Sequence, residues 1–288
     1  MKTNGKWNWM LLAGCMALTC SCGGNTKTQG NGSMGKDSVQ TLGTVQTRQV
    51  EGISVTWLRD NAEEKLMPPS LFAAASDSLI KSLGLEEGIP SSISTFWVET
   101  EGVKVLFDAG LGAPESLLQA GLDSIGVAPE DIRYVYLTHF HHDHIGGMLK
   151  GDTAVFPRAE VYAAKAEYEG WMKMEASQRA EVEKLAEAYK GHIHFFEFGD
   201  TIPGKVVALE AVGHTPGHTV YQTGKLLVIG DLIHGAALQL AHPDICPSFD
   251  MNPEDAIRAR KHYLQYAKDN GLTLAGMHLP APAILTPQ

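Results

Sequence analysis

Apolar residues in this chain come in short runs, cut by turn residues, and the runs switch between strand-like and helix-like spacing. Ile53-Ser54-Val55-Thr56-Trp57-Leu58 alternates, which puts successive side chains on opposite faces of a strand. Pro68-Pro69 interrupt, and residues 71–84, rich in Ala and Leu, predict a short helix ending at Gly84. Phe96 to Asp108 reads as a hairpin turning at Glu101-Gly102, with Asp108-Ala109-Gly110 closing its second arm. A helix near 114–125 precedes Tyr134-Val135-Tyr136-Leu137, an apolar run that reads as a buried strand. Glu160-Val161-Tyr162 is a short strand, and residues 163–190 are helical, with Val182, Leu185, Ala186 and Tyr189 on one face. Strands are expected at 194–198, 205–209 and 225–229. Asn252 is an N-cap, Pro253 opens the helix, and Glu254 and Asp255 favour its positive end; it runs to about Asp269. Leu272 to Ala275 is the last expected strand.

The carboxyl ends of these strands carry the chemistry. Residues 138–144 read Thr-His-Phe-His-His-Asp-His, so His139, His141, Asp143 and His144 form H-x-H-x-D-H. Imidazole nitrogen and carboxylate oxygen are the ligands of catalytic zinc. Burying so many of them without a cation carries a heavy desolvation cost. Gly146-Gly147 then let the chain turn closely beneath the loop. Gly213-His214-Thr215-Pro216-Gly217-His218-Thr219, Gly230-Asp231 and His278 follow, each at a strand end. Strand ends along one rim can converge although they lie far apart in sequence.

Composition narrows the options. The chain has 288 residues, 44% hydrophobic and 19% charged, which fits one large α/β domain or two small ones. Its formal net charge is −10, and its body has no basic block, which disfavours nucleic acid as a partner. Lys2 and Lys6 precede an apolar segment from Trp7 to Thr19, the pattern of an export leader. Three of the four cysteines, at 15, 20 and 22, fall in it, which points to lipidation and not to a disulfide framework. The segment resembles a bacterial lipoprotein leader. Cys22 leaves the fuller apolar core and is the favoured lipidated residue, with Cys15 the alternative. Residues 1–22 are therefore expected to be a signal peptide, 23–45 a flexible Gly/Asn/Thr/Ser/Gln tether, and 46–288 the folded domain. The expected location is the bacterial envelope, lipid-anchored and facing the periplasm in preference to the cell surface, with an ordinary cleaved signal and a free product as the alternative.

Taken in order, H-x-H-x-D-H, G-H-T-P-G-H-T, G-D and the late His resemble the metallo-β-lactamase superfamily, over roughly residues 50–280. That resemblance implies a four-layer αββα sandwich with a metal centre at the rim. It implies that His139, His141 and His218 hold one zinc ion, Asp143, His144 and His278 a second, and that Asp231 bridges both. It leaves His214 as a supporting residue and His142 facing solvent. One β-lactamase subclass has Arg in place of His144 and Cys in place of Asp231, and flavodiiron proteins have Glu in place of His141, so both activities are disfavoured. Asp231-Leu232-Ile233-His234-Gly235 and Met277-His278-Leu279-Pro280 are similar to the lactonase and methyl parathion hydrolase branch.

The expected function is that of a metal-dependent hydrolase, in which a hydroxide activated by two zinc ions attacks a lactone or another ester. Asp143 would orient the nucleophile or relay its proton. His234 either contacts a substrate oxygen or merely lines the pocket. Trp57, Leu71, Phe72, Trp97 and Phe249 are further pocket candidates, each of which core packing explains more simply. Aryl ester, phosphotriester or thioester cleavage is the alternative chemistry. A zinc-binding lipoprotein without catalysis is the alternative of another class, and turnover that a chelator abolishes and zinc restores separates the two. The sequence carries no signal for an oligomeric state.

Overall fold

The computed structural model describes Trp9–Met10 and residues 43–287. The expected lipidation at Cys22 or Cys15, the rest of the leader and nearly all of the tether lie outside the described residues. Trp9–Met10 form a two-residue strand paired antiparallel with Ile284–Pro287. The domain proper begins with the strand Val45–Val50, antiparallel to Ile53–Arg59.

Two seven-stranded sheets form the inner layers. In one, the order runs Ile193–Phe196, Glu160–Ala164, Tyr134–Tyr136, Val103–Phe107, Ser94–Thr100, Ile53–Arg59 and Val45–Val50. The other runs Trp9–Met10, Ile284–Pro287, Thr273–Gly276, Leu226–Gly230, Thr219–Thr223, Val206–Glu210 and Thr201–Ile202. Side-chain alternation explains why both faces of the first sheet are apolar. Val55, Trp57, Phe96, Val98, Val105, Phe107 and Tyr136 enter the core shared with Tyr221, Leu227, Val228 and Leu274 of the second sheet. Leu58, Trp97, Leu106, Val135 and Leu137 point the other way, onto the helices Leu118–Ser124 and Ala176–Ala188 through Leu118, Leu122, Val182 and Leu185. The helix Pro253–Asn270 covers the second sheet with Tyr263, Leu264 and Ala267. Helix, sheet, sheet and helix make the αββα sandwich that the resemblance implied.

Three local expectations are corrected. The helix expected over 71–84 is shorter. A 3-10 turn at Pro69–Leu71 gives way to Asp77–Ser82, because the Ser76 hydroxyl caps a new start by accepting from Leu79 N–H (3.2 Å). Residues 163–190 form two helices, Lys165–Trp171 and Ala176–Ala188, with the Met172 carbonyl left open at the break and satisfied by Arg179 Nη1 (3.0 Å). Thr273–Gly276 is not the last strand, since Ile284–Pro287 pairs antiparallel to it. The prolines at 280, 282 and 287 hide that strand from pattern reading. The Asn252 cap and its helix form as expected, with Asn252 Oδ1 accepting from Asp255 N–H (3.3 Å).

A satellite core lies over one end of the sandwich. Met67, Phe72, Ile80, Leu85 and Ile89 pack there against Leu238 and Ile245.

Candidate metal centre

The H-x-H-x-D-H segment leaves the strand Tyr134–Tyr136 as a loop that ends in the short helix His142–Ile145. Close backbone approach fixes that loop. A Cβ at Gly147 would lie 2.0 Å from the Ala109 carbonyl oxygen, and one at Gly146 2.1 Å from that of Leu111. Asp108 holds a left-handed conformation (φ 57°), uncommon for a non-glycine residue, and its buried carboxylate braces the loop. It accepts from Thr138 N–H (2.7 Å), Thr138 Oγ1 (2.7 Å) and His144 Nδ1 (2.7 Å). Gly230 (φ 50°) brings Asp231 in from the neighbouring sheet, with space for a Cβ closed by His218 Nε2 at 2.5 Å.

Two groups of side chains converge here. His139, His141, His214 and Asp231 make one; Asp143, His144 and His278 make the other, and in each the ligand-type atoms lie within 4.8 Å of one another. His141 Nδ1 is 3.0 Å from His139 Nε2 and 2.9 Å from His214 Nε2. His278 Nε2 is 3.3 Å from Asp143 Oδ2. Asp231 stands between the groups. Its Oδ2 is 3.2 Å from His214 Nε2 and 3.1 Å from His278 Nε2, and its Oδ1 is 3.0 Å from His144 Nε2.

Outer partners set which nitrogen faces inward. His278 Nδ1 meets the Ser92 carbonyl at 2.7 Å, and a carbonyl can only accept, so Nδ1 carries the proton. Asp108 takes the Nδ1 proton of His144, and Asp250 that of His214 (2.9 Å). His139 Nδ1 meets Thr138 Oγ1 at 3.0 Å, whose own proton goes to Asp108. Four imidazoles thus present Nε2 lone pairs to one space, the arrangement by which outer partners orient metal-binding histidines. His144 Nε2 and Asp231 Oδ1 face each other at 3.0 Å, both buried, and neither forms a hydrogen bond. Converging lone pairs and orphaned buried atoms fit a divalent cation, and an N/O donor set suits zinc.

Without a cation, burial and the two carboxylates set the charges of the centre in opposite directions. Burial holds His139 well below the usual imidazole range and, with the neighbouring His214, takes His141 down to about 3. Burial also opposes charge on His214, but the carboxylates of Asp231 and Asp250 prevail and raise it to about 9. Asp231 is held well below the carboxylate range: burial works against its charge, and His144 and His278 overcome it.

His218 is the correction. The family resemblance places it with His139 and His141, yet it lies outside both groups. Its two nitrogens are already committed: Nδ1 to the Ala211 carbonyl (3.1 Å), Nε2 as acceptor from Asp231 N–H (2.9 Å). The supporting role expected of His214 therefore falls to His218, and His214 takes the inward position. Both histidines in G-H-T-P-G-H are buried, so composition and spacing offer no means of choosing between them. His142 is exposed and pairs with Glu181 (2.8 Å), as expected.

Sequence reading also misses Glu167. Fully buried on helix Lys165–Trp171, it accepts from Phe140 N–H (3.0 Å), Trp171 Nε1 (2.7 Å), Thr215 Oγ1 (2.8 Å) and Gly217 N–H (2.6 Å). One carboxylate thereby ties the 139–144 loop to the 213–219 loop. Asp250 and Arg260 are missed as well. Arg260 Nη2 donates to Asp250 Oδ2 (3.1 Å) and its Nε to the Leu232 carbonyl (2.7 Å).

The centre floors a cavity of about 440 Å³ lined by His141, Asp143, His214, Asp231, His234 and His278. Leu66, Met67, Pro68, Leu71 and Phe249 form its apolar side, and Lys65 also lines it. Of the pocket candidates, Leu71, His234 and Phe249 are present. Trp57, Phe72 and Trp97 are buried in the three cores. His234 Nε2 lies 3.0 Å from Asp231 Oδ2, and its buried Nδ1 has no partner. Burial pushes His234 down to about 4, so the ring is neutral near pH 7.

A sandwich of two sheets flanked by helices, with His and Asp side chains gathered at one rim, defines a class of metal-dependent hydrolases. The family model of the metallo-beta-lactamase superfamily matches residues 88–278, and the chain belongs to that superfamily. It is 31% identical over 123 residues to the exodeoxyribonuclease WalJ of Streptococcus pneumoniae (43% of this chain, 41% of that protein). It is 35% identical over 100 residues to an N-acyl homoserine lactonase of Bacillus sp. (34% and 35%). These alignments span less than half the length of the curated relatives. Among solved structures, the hydrolase AbOPH superposes with a TM-score of 0.75 at 28% identity (84% of this chain, 92% of that one). AidC, a dizinc quorum-quenching lactonase in complex with N-hexanoyl-L-homoserine as product, gives 0.75 at 25% identity (85% and 94%).

Proposed function

We propose that this protein hydrolyses esters, lactones foremost, with two zinc ions at the rim. His139, His141 and His214 would hold one ion, Asp143, His144 and His278 the other, and Asp231 would touch both. The observation that carries the reading is Asp231, whose two oxygens approach members of both histidine groups at 3.0–3.2 Å on the floor of an apolar-walled cavity. Likeness to a dizinc lactonase over most of both chains supports the substrate class. When bound, such ions supply Lewis-acid polarisation and a water of lowered pKa.

The chain's own groups do the remaining work. Asp143, a quarter exposed, is the carboxylate placed to orient an attacking water or take its proton. His234 lines the cavity as a neutral ring whose Nε2–H donates to Asp231, which leaves Nδ1 as an acceptor, unsuited to donating to a substrate carbonyl or to strong acid catalysis. Leu66, Met67, Leu71 and Phe249 hold the substrate's carbon body and shield it from bulk solvent. No Ser or Cys nucleophile is required.

The test is hydrolysis of a panel of lactones, aryl esters, phosphotriesters and thioesters by protein of measured zinc content. Lactone turnover that stops with chelator and returns with zinc supports the proposal. Tight zinc binding with no turnover of any ester points instead to a carrier, and preference for triesters or thioesters would move the substrate class.

A further inference from the structure

The cavity wall has one feature that a purely apolar ester would not use. Lys65 is its only Lys or Arg among the described residues. It begins the short strand Lys65–Met67, paired with Ile89–Ser91, immediately before the apolar residues Leu66, Met67 and Pro68. The side chain is half-buried, and no ion pair or hydrogen bond of its ammonium is present among the described residues. Asp143, at the floor, lines the same cavity. A lysine half-buried beside an apolar wall can lay its stem along that wall and keep its ammonium within reach of a ligand in the cavity.

We propose that Lys65 is a specificity-determining residue that binds an anionic group, a carboxylate or phosphate, carried by the substrate away from the bond that is cleaved. The preferred substrate is then amphipathic. Its reacting carbonyl sits over the histidine groups, its carbon body lies on Leu66, Met67, Leu71 and Phe249, and its anion meets the Lys65 ammonium. The inference rests on the ester-hydrolase reading of the same cavity, but its test does not depend on turnover.

The experiment is calorimetric binding to the full-length, zinc-loaded protein. The probes are linear dicarboxylates from glutarate to azelate, each compared with the monocarboxylate of equal chain length. One carboxylate of either ligand can engage the metal floor, so the ratio of affinities reports the second. A charge-assisted contact in a half-screened position predicts that at least one dicarboxylate binds about 10-fold more tightly than its monocarboxylate. Lys65→Met, which keeps the stem and removes the charge, should bring that ratio to about one, and Lys65→Arg should retain it. A free phosphate source is distinguished by the corresponding ω-phosphonates, which should outrank the dicarboxylates if phosphate is the natural group. The idea is wrong if no dicarboxylate in the series is preferred, or if the preference survives Lys65→Met. Failure of ester turnover with the dicarboxylate preference intact would overturn the hydrolase reading and leave the anion site standing.

Discussion

Replacing each histidine of the G-H-T-P-G-H loop by asparagine separates the two roles that the structure assigns to them. An asparagine amide can stand near the position of an imidazole Nδ1 but supplies nothing at Nε2. In His214→Asn the bond to Asp250 can survive, and what disappears is the inward nitrogen, 2.9 Å from His141 Nδ1 and 3.2 Å from Asp231 Oδ2. In His218→Asn the bond to Ala211 can survive, and what disappears is the acceptor for Asp231 N–H. That N–H is buried, so its loss costs about 1 kcal/mol for the bond and about 2 kcal/mol for the orphaned donor. At about 2–4 °C per kcal/mol for a domain of this size, metal-free His218→Asn should melt about 6–12 °C lower than the metal-free parent. Zinc content after dialysis against a mild chelator, measured by elemental analysis, should fall from about two to about one per chain in His214→Asn and remain near two in His218→Asn. If His218→Asn instead loses a zinc while His214→Asn keeps both, then His218 and not His214 occupies the inward position.

Other consequences can be measured in the same way. Asp250→Asn leaves the Arg260 guanidinium without its carboxylate and loosens His214, so zinc affinity by chelator competition should weaken about 10–100-fold; unchanged affinity would refute the link. The Asp250 carboxyl, buried yet stabilised as the anion by His214 and Arg260, titrates at about 2 in the fold. A depressed acid stabilises the fold above its unfolded pKa near 3.9, by about 2–3 kcal/mol for this group, and loses that contribution as pH falls toward 2. Urea unfolding of metal-free protein should show the gap between parent and Asp250→Asn shrinking from pH 5 to pH 2, and a constant gap would contradict the assignment. Glu167→Gln puts amide protons against donors that now point at a carboxylate, and should cost about 3 kcal/mol in the same assay. No change in its unfolding midpoint would mean that this brace contributes nothing.

The parts of this molecule that could be read from sequence are those governed by short-range rules. The strand Ile53–Arg59, the hairpin through Glu101-Gly102 and the Asn252-capped helix follow from alternation, turn chemistry and capping. The convergence of the H-x-H-x-D-H side chains follows from their adjacency, and that of Asp231 and His278 from their places at strand ends. What stayed hidden depends on partners distant in the chain. Nothing near Glu167 announces that Gly217 N–H will donate to it, and nothing near His218 shows Asp231 N–H occupying its ring nitrogen. The missed strand Ile284–Pro287 and the break after Trp171 are likewise set by neighbours across the fold.

The satellite core beneath the cavity's apolar wall has a bearing on how this molecule could change over generations. Met67, Phe72 and Ile89 anchor that wall, while the zinc-type donors hang from strand ends and braces packed in the two larger cores. Lineages could therefore trade side chains at Leu66, Pro68 and Leu71 and drift toward new substrates with the chemical machinery intact. A library randomised at those three positions should yield many folded, zinc-replete variants with altered substrate preference.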